Sequence, residues 1–393
     1  MKKLLLLLSV LFLISWGCEG VELENGLTLF TKNFGGNLWD YGNSVQQTID
    51  GGYIITGEIS SSENGSSDIW LIKTDSEGQE EWNQTFDGND RDYGKSVKQT
   101  VDGGYIIIGS TGSDYYYDVW LIKTDPKGTE EWNQTFGGDN KDYGNSVQQT
   151  IDGGYIITGE ISSSGNGSSD VLLIKTDQQG QEEWIQTFGG SDYDIGNSIE
   201  QTYDGGYIIT GSTRSYGNGS SDVLLIKTDQ QGQEEWIQTF GGGYIDIGNS
   251  IKQTSDNGYI ITGYTQSYGN GSRDVWLIKT NSQGNEEWNQ TFGGSYIDIG
   301  NSIQQTIDGG YIITGSRGTD YYSDLWLIKT DYQGNEEWNQ TFGGNDYDFG
   351  NSVQQTTDDG YIIIGHTKSY GNGGYDIFLI KTDSEGNTEP YRN

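Results

Sequence analysis

Short apolar runs alternate with polar, glycine-bearing segments along this chain, and the whole alternation returns every 50 to 52 residues. In one unit the polar stretch 43–48 (NSVQQT) leads into Ile49-Asp50-Gly51-Gly52, a hairpin turn whose glycines tolerate positive φ. The runs 53–57 and 68–74 are apolar at consecutive positions, as in strands covered on both faces. Segment 82–86 (WNQTF) alternates large apolar with polar residues, which suits an outer strand covered mainly on one side. It follows a glycine-containing turn, Asp75-Ser76-Glu77-Gly78. Four short strands per unit are expected.

The unit occurs seven times. Leu-Ile-Lys-Thr recurs with its lysine at Lys73, Lys123, Lys175, Lys227, Lys279, Lys329 and Lys381, and Gly-Tyr-Ile-Ile keeps step with it from Tyr53 to Tyr361. Such a period is too long for most helical-hairpin repeats and suits a four-stranded propeller blade. The ends of the chain carry the clearest sign. Six copies of the Glu-Glu-Trp strand carry Trp82, Trp132, Trp184, Trp236, Trp288 and Trp338, while the seventh unit stops short of it. The missing strand stands at the other end, where residues 30–36 (FTKNFGG) align with WNQTFGG. A linear array has no need of this offset; a closed ring does, because it hides two sheet edges. The expected fold is all-β: a seven-bladed β-propeller over residues 27–393, closed by an N-terminal strand that completes the last blade.

The segment 73–82 (KTDSEGQEEW) resembles repeats of secreted and surface-anchored prokaryotic β-propeller proteins. It is also similar to the quinoprotein-type repeat, in which an Asp, a Gly and a Trp close each blade. Here the Asp-to-Gly spacing is one residue shorter, and the paired cysteines of some quinoprotein dehydrogenases are absent. The resemblance implies the fold and no cofactor.

Composition narrows the chemistry. The 393 residues include 62 Gly, 27 Tyr and 12 Trp, but one His, one Cys and no Ala, so strands and turns are favoured over helices. One Cys excludes an internal disulfide and a Cys-based zinc site, and one His leaves no His pair for a transition metal. With 57 acidic against 21 basic residues the net charge is −36, which argues against nucleic acid as a partner.

Residues 1–17 read as a signal peptide, with Lys2 and Lys3 ahead of an apolar run over 4–14. That run is short of the roughly 20 residues needed to cross a bilayer. The sole cysteine follows immediately, which resembles a bacterial lipoprotein signal, although Ser15 stands where Leu is usual. Cys18 is thus the expected lipid attachment point, with residues 18–26 a short linker; ordinary secretion with an incidental cysteine is the alternative. Either way the protein is expected to be exported, to the cell envelope or beyond. Membrane contact comes only through that anchor or the signal peptide.

In this strand order the long, varied connections share one face, around the mouth of the central channel, and binding is expected there. Residues that differ between copies are the informative ones. Glu58, Glu160, Tyr264 and His366 vary just after the Tyr-Ile-Ile-x-Gly element. Arg214, Gln266, Arg317 and Lys368 lie close behind. They suggest a rim acidic over blades 1 and 3 and more basic over blades 4 to 7, against drift on a solvated loop. Tyr116, Tyr216, Tyr268, Tyr322 and Tyr370 crown the same face, either to stack on sugars and grip proteins or to pack the loops down.

The aspartates two residues before a Gly, such as Asp92, Asp194 and Asp348, suit hydrogen bonds to turn amides. Calcium is the sharper reading where a second acid precedes them, as in Asp90/Asp92, Asp192/Asp194 and Asp346/Asp348. No catalytic constellation stands out, since a glycosidase needs two carboxylates at fixed separation and Glu58 and Glu160 lie two blades apart. The expectation is a non-enzymatic binding or scaffolding module for a surface glycan or protein. The alternatives are a carbohydrate-active or quinoprotein-like enzyme, or a purely structural surface-layer component.

Overall fold

A computed structural model describes residues 28–60, 66–88, 91–113, 116–162, 168–319 and 321–391. The leader, Cys18 and Asp90 lie outside them. Among the described residues there are strands and turns and no helix.

The chain enters with β1 (Phe30–Phe34) and then builds the first blade from β2 (Tyr41–Gln47), β3 (Tyr53–Ser60), β4 (Ser67–Thr74) and β5 (Glu80–Phe86). Five further four-stranded antiparallel sheets repeat that meander. The seventh takes its first three strands from Asp348–Gln355, Tyr361–Thr367 and Asp376–Thr382, and its fourth is β1. β1 pairs along its whole length, from Phe30 opposite Lys381 to Phe34 opposite Ile377. The fold is therefore a seven-bladed β-propeller closed by its N-terminal strand.

The strands run slightly beyond the expected limits, because a bulge between Gly42 and Ser44 lets Tyr41 stay paired with Glu58. Gly57 is required at this crossing. A Cβ there would lie 1.8 Å from the Tyr41 carbonyl oxygen, and the same clash recurs from Gly109 to Gly365.

Apolarity on consecutive positions has a simple cause: each blade is sandwiched between two others. Ile54, Ile69, Leu71 and Phe86 of blade 1 pack with Val97, Tyr105, Ile107 and Trp120 of blade 2, and the pattern repeats around the ring. The outer-strand tryptophans belong to these seams. Trp82 lies 5.9 Å from the Tyr105 ring of the next blade, and in the closing blade Phe30 takes the equivalent place 6.0 Å from Tyr53.

The repeated lysines are buried and anchor the short-turn face. Lys175 Nζ donates to the Thr176 carbonyl at 2.9 Å and meets Asp152 and Glu183 at 3.0 and 3.1 Å. Lys381 meets Asp358 at 3.0 Å and, among the described residues, no second acid at ion-pair distance, since the last blade has no Glu-Glu-Trp strand.

The polar NSVQQT strands line the central bore, and their polarity is a belt of hydrogen bonds between blades. Asn43 Nδ2 donates to the Gly94 carbonyl at 2.8 Å, Ser44 Oγ accepts from Val97 N–H at 3.3 Å, and Gln46 Oε1 accepts from Gln99 N–H at 2.7 Å. The second Gln of the motif ties back to the preceding turn at every junction, as where Ile49 N–H meets Gln99 Oε1 at 2.9 Å.

Candidate functional site

Innermost strands begin, and second strands end, on the face that carries the long connections, so the residues just before Asn43 and just after Gly57 surround the mouth of the bore. At the junction of blades 2 and 3, Tyr117 is buried between Tyr93 and Tyr143, with ring centroids 5.7 and 5.3 Å away. Lys95 lies 5.5 Å from the Tyr93 ring and Lys141 5.7 Å from Tyr117. With Arg91 these groups line a cavity of about 390 Å³. A second aromatic group sits between blades 7 and 1, where His366 is 4.9 Å from both Tyr41 and Phe349 and 5.1 Å from Tyr375.

The variable positions land around this mouth with different roles. Glu58 is buried and meets Lys95 Nζ at 3.3 Å, so its charge is matched. Glu160 is half-buried opposite Tyr143, and burial, helped by the Asp142 carboxylate, pushes its carboxyl up to about 7. Burial holds His366 down at about 4, which leaves a neutral ring whose Nδ1 lies 3.2 Å from Asn351 Nδ2. Tyr264 is half-buried beneath Arg273, 4.7 Å away. Gln266 is held through its main-chain N–H by the Ile245 carbonyl at 2.9 Å. Arg214, Arg317 and Lys368 are exposed, each over an aromatic ring: Tyr193, Trp326 and Tyr347.

One expectation needs correcting, and one open alternative is decided. The rim is not divided into an acidic and a basic half, because Arg91, Lys95 and Lys141 place three cations at blades 2 and 3 and Glu58 is neutralised by one of them. Of the crowning tyrosines, Tyr216, Tyr268 and Tyr370 donate their hydroxyls to the carbonyls of Gly189, Gly241 and Gly343. Those three fasten the linkers between blades. Tyr116 stays exposed at 56%, and Tyr322 is half-buried in its own turn.

The aspartate pairs are also rearranged. Asp194 Oδ2 accepts from Gly190 N–H at 2.9 Å, and Asp348 Oδ2 from Gly344 N–H at 3.0 Å. Asp192 and Asp346 instead accept from the N–H groups of Tyr193 and Tyr347 at 2.8 and 2.9 Å. The acid that faces each repeated aspartate comes from the third strand of the preceding blade. Asp170 faces Asp194 and Asp324 faces Asp348, and in both Asp170 and Asp324 burial first and the facing carboxylate second raise the carboxyl. At the junction of blades 1 and 2 a third acid joins, because Asp87 replaces the usual Gly. Carboxylate oxygens of Asp68, Asp87 and Asp92 lie within 4.8 Å of one another there.

Sequence reasoning missed the Tyr93–Tyr117–Tyr143 stack. The available signal was that Tyr41, Tyr93 and Tyr143 stand where blades 4 to 6 carry Ile195, Ile247 and Ile299.

No family model matches the chain. The regulatory protein FlaEY of Caulobacter vibrioides is 24% identical over 176 residues, which is 38% of this chain but 18% of that protein. Among solved structures, an ulvan lyase bound to a glycan of GlcA and Rha3S units has a TM-score of 0.55 at 11% identity, over 90% of this chain and 97% of its own. Chaetomium thermophilum Sqt1 bound to the N-terminus of ribosomal protein L10 has a TM-score of 0.52 at 10% identity, over 89% and 98%. The WD40 domain of Neurospora crassa Pan2 has a TM-score of 0.53 at 8% identity, over 90% and 91%. These likenesses establish the propeller fold alone.

Proposed function

We propose that this propeller is an exported, non-enzymatic binding module, tethered through Cys18, that holds an acidic surface glycan at the mouth of its bore. The observation that carries this is the tyrosine stack between blades 2 and 3 with Arg91, Lys95 and Lys141 around it. Flat aromatic faces suit sugar rings, and clustered cations in an otherwise acidic protein suit carboxylates or sulfates on them. A glycan-bound and a peptide-bound propeller among the structural neighbours make both ligand classes reasonable, and the cations favour an acidic one.

A glycan array probed with the purified protein, with calcium and chelator arms, tests the reading. Binding of uronate or sulfated glycans without turnover, reduced about tenfold or more by Lys141→Ala (about 1.4 kcal/mol), supports it. Binding only of acidic peptides would move the ligand to the protein class, and no binding would leave a structural surface component. The second reading, a carbohydrate-active enzyme, is favoured by Glu160, whose raised carboxyl has the property required of an acid catalyst at neutral pH. Release of reducing ends that disappears in Glu160→Gln would establish it.

A further inference from the structure

The bore carries its own departures from the repeat, deeper than the mouth and independent of the reading above. At the ring of positions equivalent to Gln46, side-chain oxygens of Gln46, Gln148, Glu200, Gln304 and Gln354 each accept the main-chain N–H of the next blade, at 2.5 to 2.7 Å. Lysines stand at the other two positions, Lys98 in blade 2 and Lys252 in blade 5. An ammonium only donates, so the N–H groups of Gln149 and Gln305 receive no acceptor from that ring. At these two junctions the ring thus carries an ammonium in place of the acceptor that the other five supply.

Charge in the bore is unbalanced in the same direction. Its titratable groups are Lys95, Lys98, Glu200 and Lys252. Lys95 pairs with Glu58 at 3.3 Å and Lys252 with Glu200 at 3.4 Å, whereas Lys98 forms no ion pair among the described residues. Burial first, and then the Lys252 ammonium, push Lys98 down to about 8, partly offset by Glu200. The lumen around them, about 360 Å³, is lined by Asn, Ser and Gln side chains able to donate hydrogen bonds.

We infer that the bore is a binding site for a small multivalent oxyanion, a carboxylate or a phosphate, held by Lys98 and Lys252 together with the Asn and Ser side chains that line the lumen. The ligand supplies the counter-charge that Lys98 lacks among the described residues. In a chain of net charge −36, selection of such an anion depends on this local excess of donors.

Isothermal titration of the purified protein with citrate and with inorganic phosphate, at constant ionic strength, tests the site and separates its two sources. One saturable site per chain is expected, weakened about tenfold or more in Lys98→Gln and in Lys252→Gln. Binding should also weaken as the pH rises through about 8, where Lys98 loses its proton. Lys98→Gln restores an acceptor for Gln149, so it should melt at or above the wild-type temperature in anion-free buffer and gain less stability than the wild type from the same ligand concentration. Absence of saturable binding by either anion, unchanged affinity in both variants, or equal displacement by chloride at matched ionic strength would overturn the inference.

Discussion

A buried lysine with two exposed acids and a buried lysine with one differ in how much each partner matters. Losing Asp152 leaves Lys175 still facing Glu183, whereas losing Asp358 leaves Lys381 with the Thr382 carbonyl and, among the described residues, only the more distant Asp383 carboxylate. Asp358→Asn should therefore cost about 1.5–3 kcal/mol and Asp152→Asn clearly less, measured by urea denaturation. The Gly57-type positions make a second residue-scale test. Gly211→Ala would force a methyl to 1.8 Å from the Ile195 carbonyl oxygen, and a loss of about 1–3 kcal/mol is expected. Single residues were legible in proportion to their repetition. The lysines and aspartates of every blade announced structural roles, because anything needed seven times serves the blade. Lys98 and Lys252 carry no such signal, since only the closed ring brings two distant strands to one lumen.

Strands were the most legible level, because a blade packed on both sides writes its core as an unbroken apolar run. The offset between the chain ends likewise foretold which strand closes the ring, down to the alignment of Phe30 with tryptophan. Phe30→Ala should cost about 3–5 kcal/mol, while the partly exposed Thr31→Ala should cost little, as followed by thermal unfolding. The innermost strands were read as short and polar without their purpose, because their bonds run to neighbouring blades. The mouth was legible only as a face. Its Tyr93–Tyr117–Tyr143 stack joins three strands of two blades, and the loops that looked most eventful turned out to be fastened by Tyr216, Tyr268 and Tyr370.

At the scale of the whole ring, two sets of carboxyls oppose one another. In Asp152 burial raises the carboxyl, but the Thr150 hydroxyl, the Gly154 amide and Lys175 outweigh it and hold the group below its ordinary value. That stability is present at neutral pH and is lost as the pH falls below 3.8. In Asp376 burial, together with Asp40, raises the carboxyl to about 6, and Glu160 sits at about 7. Those groups hold protons more tightly folded than unfolded, so their contribution is lost as the pH rises through these values. The melting temperature should therefore peak near pH 4, fall on the acid side as the Asp152-type carboxyls protonate below 3.8, and fall on the other side until the raised carboxyls have ionised at about 6 to 7. Ring closure is tested by removing residues 28–36. The strand Asp376–Thr382 would become an open edge, and a lower melting temperature with strand-exchanged oligomers on size exclusion is expected. Unchanged melting of a monomer would refute closure by β1. That strand also sets a direction in space. β1 runs antiparallel to Asp376–Thr382, so the chain enters at Phe30 on the side of the short turns and reaches the mouth side only at Phe34. The chain ahead of Phe30 therefore joins the ring from behind, on the side opposite the aromatic mouth.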